Sequence, residues 1–248
     1  MRKLLTFIVV VGLLLVLADR VAWWVAERGV ATAIQESENL PQRPGVSIGG
    51  FPFLTQAVEG IYRDVDVTFQ DVPAAEGVTV DELHSDLEGV HVPLEAIVNR
   101  TVESAPVDRA AATGRVGFAS LNTATERQLR SDELTVTYGP AAGADRLSFT
   151  GTYAGPAGNL QLRGQARLVV QDGSLVVTVV PDSLNVPQVV RDIVARLLGI
   201  SYQVPDLPFG FQVRSVAVSQ DGVTVTATAE DVVLGPVEDT SGAAHPLN

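Results

Sequence analysis

Two groups of residues in this chain have the types and spacing that catalysis or ion binding would need. Residues 45–49 read Gly-Val-Ser-Ile-Gly, the letter pattern of a nucleophile elbow, in which a serine lies on a tight turn between a strand and a helix. Asp64 and Asp66 are two residues apart, so a strand would hold both carboxylates on one face. Such a pair could act as acid and base or hold a cation.

Neither group has the surroundings that its chemistry requires. Gly50, Phe51 and Pro52 follow the serine motif and cannot start the helix that an elbow needs, so a hydrolase is disfavoured. On an alternating strand, the two aspartates fit a solvated face. The histidines, at 84, 91 and 245, do not match a zinc motif, and the absence of cysteine excludes thiolate sites. We therefore predict a protein that is not an enzyme and has no metal or cofactor.

Charge excludes a further class of function. The chain has 29 Asp and Glu against 17 Lys and Arg, a formal net charge of −12. Binding to a phosphate backbone has no global electrostatic source here, so nucleic acid is excluded as a partner. With 248 residues and 46% hydrophobic content, the chain is long and apolar enough to bury a core.

The N-terminus carries an export signal. Arg2 and Lys3 precede residues 4–17, which contain no charge. This run would form a helix of about 21 Å, short of the roughly 30 Å of hydrocarbon in a bilayer. It fits either a signal peptide cut before Asp19 or an uncleaved anchor extended by Trp23 and Trp24. Both alternatives place the rest of the chain in the periplasm or on the outer face of the plasma membrane.

The remaining pattern predicts strands with few helices. Apolar spacing predicts a helix over residues 20–37, two short helices near 93–98 and 120–129, and a longer one over 186–198 with a broad apolar face. Asp-Gly pairs at 172–173 and 221–222 predict hairpin turns. These elements do not alternate regularly, which favours an α+β fold with an antiparallel sheet wrapped around the long apolar helix. The predicted units are a signal or anchor at 1–18, a membrane-proximal helix and linker at 19–44, an α+β domain at 45–236 and a polar tail at 237–248.

Two proline-broken aromatic clusters, at residues 51–54 and 207–211, flank strands at opposite ends of the domain. They either fill the core or form the rim of an aliphatic groove, which an acyl chain would occupy through non-directional contacts. The candidate groove residues are Phe51, Phe53, Leu54, Val189, Val190, Ile193, Leu197, Phe209 and Phe211. Arginines suit lipid phosphates, and the candidates are Arg63, Arg163 and Arg167.

The segment Phe-Pro-Phe-Leu-Thr-Gln at 51–56, followed by Gly60, Tyr62 and the strand at 65–72, resembles the LmeA-like family of envelope phospholipid-binding proteins, named for lipomannan elongation and maintenance. The resemblance implies a periplasmic, non-enzymatic protein that binds phospholipids, including phosphatidylinositol types, and supports lipomannan or lipoarabinomannan biosynthesis. It also implies a fold similar to the tubular, BPI-like lipid-binding proteins. The implied partners are phospholipid and the inner membrane, with an envelope mannosyltransferase as a further candidate.

A second hypothesis stays open. The chain could be a membrane-anchored scaffold that stabilises an envelope glycosyltransferase without binding lipid. A scaffold predicts a filled core and an exposed apolar patch, whereas a lipid-binding protein predicts an apolar cavity.

Overall fold

A long N-terminal helix is followed by two antiparallel sheets in this protein. The computed structural model describes residues 2–37, 40–73, 78–99, 102, 104–129, 134–143, 145–155, 158–171, 174–188, 201–202 and 210–235. The first helix, α1, runs without a break from Arg2 to Ser37. Within the described residues, it is the one helix long and apolar enough to cross a membrane.

The two halves of α1 have different surroundings. In the first half, Leu4, Leu13 and Leu17 are each at least 60% exposed. The second half contacts strand β1 (Gly45–Ile48). The indole N–H of Trp23 donates to the Ile48 carbonyl at 2.8 Å, and the Ile48 N–H donates to a Glu27 carboxylate oxygen at 2.8 Å.

The larger sheet has six strands in the order β1-β2-β3-β4-β11-β10. Its other strands are β2 (Ile61–Pro73), β3 (Thr79–His91), β4 (Ala105–Gly117), β10 (Gln212–Val218) and β11 (Gly222–Leu234). Helix α2 (Phe53–Glu59) connects β1 to β2, and α3 (Leu94–Asn99) follows β3. Every pairing in this sheet is antiparallel; four pairs join consecutive strands, and β4 pairs with β11 through a crossover.

The smaller sheet has the order β5-β6-β7-β8-β9. Helix α4 (Phe118–Leu129) leads into it from the larger sheet. The strands are β5 (Leu134–Pro140), β6 (Arg146–Gly155), β7 (Gly158–Gln171), β8 (Ser174–Val179) and the two-residue β9 (Ser201–Tyr202). A single 3-10 turn, Pro181–Ser183, follows β8.

The apolar side chains form two cores. The first core lies beneath α1, α2 and α3 at one end of the larger sheet, with Phe53, Tyr62 and Val107 among its buried members. The second core joins the smaller sheet to the far end of the larger one through contacts of β10 with β7, and Val218, Val223 and Leu147 are among its buried members.

The four central strands of the larger sheet change face together in the first core. In a regular strand, side chains on one face are two residues apart, but here each strand contributes two core side chains that are three residues apart. The pairs are Tyr62 and Val65, Val90 and Leu87, Val107 and Ala110, and Val232 and Ala229. The register is unchanged between them, but Gly89 (φ 66°) and Asp231 (φ 51°) have left-handed backbones. A Cβ on Gly89 would lie 2.1 Å from Asp108 Oδ2, so glycine is required there.

The predicted α+β class with antiparallel sheets is confirmed. The helix predicted over 186–198 and the turn at 172–173 fall largely or wholly outside the described residues. Helix α2 was not predicted. The Asp-Gly pair at 221–222 does not form the centre of its hairpin, because the Ser219 N–H donates to the Gly222 carbonyl and leaves Gln220 and Asp221 as the loop.

Candidate functional site

One face of the larger sheet is apolar on all four central strands. We call it the inner face, and it consists of Val65, Val67 and Phe69 of β2, Leu83, Ser85 and Leu87 of β3, Ala110, Ala112, Gly114 and Val116 of β4, and Val223, Val225, Ala227 and Ala229 of β11. Strand alternation dictates this arrangement, since every second side chain points to the same side. Ser85 is the one polar residue among them.

Small residues make the middle of the inner face low. Ala112 of β4 pairs with Ala227 of β11, and Gly114 lies two residues further along β4 on the same face. Larger side chains stand beside them, because Leu83 pairs with Gly114 on one side and with Phe69 on the other. A Cβ on Gly114 would lie 3.5 Å from Val80 Cγ1 and 3.8 Å from Leu83 Cδ1, so these side chains lie beside the glycine. We call the small-residue region of Ala112, Gly114 and Ala227, bordered by Phe69, Val80 and Leu83, the trough.

The trough is partly open on the side of β2, β3 and β4. Phe69, Leu83, Ala112 and Gly114 are half-buried, whereas Ala227 of β11 is buried. The inner face is closed on either side of them, since Ala110 is 0% exposed in the first core and Val223 is buried in the second. The trough therefore lies between the two cores, at the part of the inner face that neither core covers.

The chemistry of the trough is that of an apolar binding surface. It presents no charged group and no hydrogen-bonding array with which to orient a polar substrate. Burial of a flexible hydrocarbon needs no such groups, and each methylene removed from water contributes about 0.8 kcal/mol. The arrangement can hold aliphatic chains.

The opposite face of the same strands is polar, and Asp66, His84 and Asp86 form a compact titratable cluster on it. His84 Nε2 lies 3.0 Å from Asp86 Oδ1 and 3.9 Å from Asp66 Oδ1, and His84 Nδ1 lies 3.0 Å from Thr68 Oγ1. A hydrogen bond with Asp86 raises the pKa of Asp66, and burial and the charge of Asp86 act in the same direction. One ligand atom from each of Asp66, His84 and Asp86 lies within 4.8 Å of the others, so the three could hold a cation. These groups lie on the half-exposed outer side of the sheet.

The serine motif does not form a nucleophile elbow. Ser47 lies inside β1 and pairs with Asp66 of β2, whereas an elbow serine occupies the turn after a strand. The turn here comes later, at Gly49 and Gly50.

The segment that carries the family resemblance forms a joint between β1 and β2. Gln56 is 2% exposed; its Nε2 donates to the Gly49 carbonyl at 3.0 Å, and its Oε1 accepts from the Arg63 N–H at 3.0 Å. Gly50 has φ 90°, and a Cβ there would lie 2.7 Å from Gln56 Nε2. Gly60 ends α2 with φ 69°. We call Gly49, Gly50, Gln56 and the Arg63 backbone the glutamine joint.

The same segment is fixed to the N-terminal helix. The Leu54 N–H donates to Asp19 Oδ1 at 2.8 Å, and Arg20 pairs with Asp19 Oδ2 at 2.7 Å. Burial raises the pKa of Asp19, but the hydrogen bonds from Leu54 and Arg20 outweigh it, so this pKa lies below its usual value. The second half of α1 is thereby joined to α2 as well as to β1.

Comparison with known families identifies the chain. The model of the LmeA-like phospholipid-binding family matches residues 17–228. This chain belongs to that family. No curated protein and no solved structure matches it.

The extent of the family match agrees with the packing. It begins at Leu17, where α1 changes from an exposed helix to one that packs on the domain, and it ends at Thr228 inside β11. The LmeA-like region therefore includes the second half of α1, both sheets and the trough. The apolar run before it is compatible with a signal or an anchor, and hence with export.

The three groove candidates in and beside α2 differ in burial. Phe53 is 5% exposed and packs in the first core, with its ring centroid 6.1 Å from that of Tyr62. Phe51 and Leu54 point outward and are 60% and 38% exposed. None of the three belongs to the inner face around the trough.

Of the other groove candidates, only Phe211 lies within the described residues. Phe211 is half-buried against the first core. Val189, Val190, Ile193, Leu197 and Phe209 lie outside the described residues.

The three phosphate candidates are not brought together. Arg63 lies on β2 of the larger sheet, next to Tyr62 of the first core, whereas Arg163 and Arg167 lie on β7 of the smaller sheet. All three are exposed. Arg167 Nε already pairs with Asp145 Oδ2 at 3.0 Å.

Sequence reasoning missed Asp19 and Gln56, the two polar residues that organise the site's surroundings. Gln56 had a signal, because it ends the Phe-Pro-Phe-Leu-Thr-Gln segment in which the other conspicuous residues are apolar. Asp19 also had a sequence signal, since an acidic side chain directly after an apolar run needs a partner. Neither signal says which backbone groups the side chain bonds.

Proposed function

We propose that this protein is an exported envelope protein that binds phospholipid by laying acyl chains in the trough. The observation that carries the proposal is the partly open, low, apolar middle of the inner face in a chain of the LmeA-like phospholipid-binding family. The role is binding without catalysis.

The trough suits an acyl chain better than it suits a polar metabolite. Phe69 and Leu83 offer flanking contacts, and the alanines below them leave room for methylenes. Because hydrophobic contact is non-directional, chains of different length or unsaturation would be accepted.

Further acyl-chain contacts are proposed from the sequence alone. They are Val189, Val190, Ile193, Leu197 and Phe209, which lie outside the described residues. Val186, the residue at which the predicted apolar helix begins, is buried in the second core.

Phosphatidylinositol-class lipids are the proposed ligands, in support of lipomannan or lipoarabinomannan biosynthesis beside an envelope mannosyltransferase. A lipid phosphate needs a cation at the mouth of the trough. Arg63 and Arg163 are the better candidates, since Arg167 is engaged by Asp145.

Filling the trough tests the proposal. Ala112→Phe would place an aromatic ring on the inner face, whereas Thr113→Phe adds the same ring one residue along β4 on the outer face, opposite His84. Full-length protein carrying either change would be purified from membranes, and its bound phospholipid would be quantified by mass spectrometry after native desalting. We expect Ala112→Phe to lower bound phospholipid roughly tenfold, a change of about 1.4 kcal/mol.

Thr113→Phe should retain the lipid content of the natural chain. Equal lipid content in both variants, with circular dichroism showing both folded, would contradict the trough as the binding site. Lipid-free natural protein would favour the scaffold hypothesis, in which the anchored domain stabilises an envelope glycosyltransferase.

A further inference from the structure

A second apolar surface lies beside the point where α1 joins the folded domain. On α2, Phe53, Gln56 and Ala57 face the core, so Leu54 and Val58, four residues apart, share the outward side. Val58 is 80% exposed. We call the exposed apolar residues of this region the foot patch, and they are Phe51, Leu54, Val58, Ile61 and Leu94.

The foot patch is continuous across three short segments. The Val92 N–H donates to the Gly60 carbonyl at 2.9 Å, and a Cβ on Gly60 would lie 3.3 Å from the Pro93 Cα. These contacts hold Ile61, which follows Gly60, next to Leu94, which follows Pro93. Glu59 and Glu95 are the charged residues within segments 51–62 and 92–97.

The patch lies level with the end of the apolar run in α1. The Leu54 N–H reaches Asp19 Oδ1 at 2.8 Å, and the Arg20 guanidinium lies 5.1 Å from the centre of the Phe51 ring. Asp19 is the first charged residue after the apolar run. A helix that places residues 4–18 in a bilayer therefore brings α2 to the bilayer surface.

The apolar run of α1 is shorter than the hydrocarbon layer, which brings the domain close to the membrane surface. Residues 4–18 span about 22 Å at 1.5 Å per residue, some 8 Å less than the roughly 30 Å hydrocarbon layer. The apolar surface of α1 continues past Asp19 through Val21, Trp24 and Val25, which are each 48% to 55% exposed. Local thinning of the bilayer meets this mismatch, and these residues then lie in the head-group interface together with the foot patch, with Asp19 and Arg20 outside the hydrocarbon.

We propose that the foot patch is a membrane-docking surface that inserts into the interface of the leaflet from which α1 emerges. Its occupant is the lipid bilayer itself. Arg20 beside Phe51 borders the patch with a cation that suits anionic head groups. The docking fixes how the domain stands on the membrane, which goes beyond the proposed binding of single lipids in the trough.

Single-cysteine labelling tests the docking, because the natural chain has no cysteine. Full-length Val58→Cys would carry an environment-sensitive fluorophore and be reconstituted through α1 into phosphatidylcholine vesicles containing phosphatidylglycerol. Ala217→Cys is the matched control. Ala217 is exposed in the same cross-strand row as Gln70, nine residues or about 30 Å along β2 from Ile61.

We expect the Val58 label to shift to the blue on reconstitution, to be quenched by brominated lipid, and to be several-fold less accessible to iodide than the Ala217 label. Adding Leu54→Asp should remove this protection, whereas Val102→Asp, at another exposed apolar residue, should not. Circular dichroism would check the fold of each variant.

Equal iodide access at the two labels would overturn the docking proposal. Protection that arises only when a soluble protein is added would overturn it as well and give the patch to a protein partner. Lipid content of the Ala112→Phe and Thr113→Phe variants reports on the trough alone, so failure of docking and failure of lipid binding are distinguishable.

Discussion

The two cores stabilise this molecule by different chemistry. The first core is bordered by two buried polar side chains, Asp19 at 3% and Gln56 at 2% exposure, each bonded to backbone groups of other segments. In the second core, the most buried large side chains are Leu147 and Leu162, and aliphatic and aromatic contacts predominate.

The difference separates two tasks. Aliphatic burial supplies most of the stability of the second core, and Asn122 of α4 fixes its edge by donating to the Tyr138 carbonyl at 3.0 Å and accepting from the Tyr138 N–H at 2.6 Å. The first core must hold α1, α2 and β1 in one orientation, and directional hydrogen bonds from Asp19 and Gln56 do this. The trough lies between the two cores, so its shape depends on both.

The largest expected effect is a cavity in the second core. Leu147→Ala removes a side chain that is 2% exposed, and the free energy of unfolding should fall by about 3 kcal/mol. Urea unfolding followed by circular dichroism measures the loss. Val102→Ala, at a 47% exposed position, should change stability by less than about 0.5 kcal/mol. Similar losses in both variants would show that the second core is not packed as described.

The glutamine joint should be nearly as sensitive. Gln56→Met keeps the side-chain volume but leaves the Gly49 carbonyl and the Arg63 N–H without their partners, at a cost of about 2 kcal/mol. Gln70→Met on the exposed side of the same sheet is the control. Thermal unfolding that shifts equally for the two changes would contradict the joint.

The Asp19 bond predicts a pH dependence. Since the pKa of Asp19 is lowered in the folded protein, its carboxylate stabilises the fold above the unfolded value of about 3.9, and the contribution is lost as pH falls through the folded pKa. Asp19→Ala should cost about 1 kcal/mol at neutral pH. The difference from the natural chain should vanish in acid.

Glu36→Ala, an exposed change on the same helix, is the control for Asp19→Ala and should cost little at either pH. A difference between natural and Asp19→Ala protein that does not decline as the pH falls below the unfolded value of about 3.9 would contradict the ionised cap.

The smallest effect is expected at Tyr62. Its hydroxyl is buried and has no hydrogen-bond partner within the described part of the chain, and burial raises its pKa. Tyr62→Phe should therefore leave stability unchanged or raise it by up to about 1 kcal/mol. A clear loss in thermal unfolding would reveal a partner for this hydroxyl.

Period-two alternation predicted the sheet well, since Val65, Val67 and Phe69 share the inner face as their spacing requires. Short sequence patterns gave wrong or missing predictions where contacts with distant residues determine the local structure. Helix α2 is only seven residues long and begins directly after Pro52, so it carries too few turns for a periodic pattern. Gly222 looked like a turn glycine, but it is needed because a Cβ would lie 2.2 Å from the Val116 carbonyl oxygen of β4.

The site was less predictable than the fold. Sequence indicated aromatic groove residues, yet Phe53 fills the first core, and the trough is built around Ala112 and Gly114, which have no conspicuous pattern. Small residues form the trough only because the neighbouring strands carry larger ones and neither core cluster includes them. That juxtaposition depends on register between distant strands, which one strand's sequence does not encode.

Photo-crosslinking tests the central claim most directly. Full-length protein would be loaded with phosphatidylinositol that carries a diazirine in its acyl chain, irradiated, and mapped by peptide mass spectrometry. We predict adducts on the inner-face residues Phe69, Leu83 and Val116, and their loss in Ala112→Phe but not in Thr113→Phe. Adducts confined to α1 and the foot patch, with the trough unlabelled, would contradict the account.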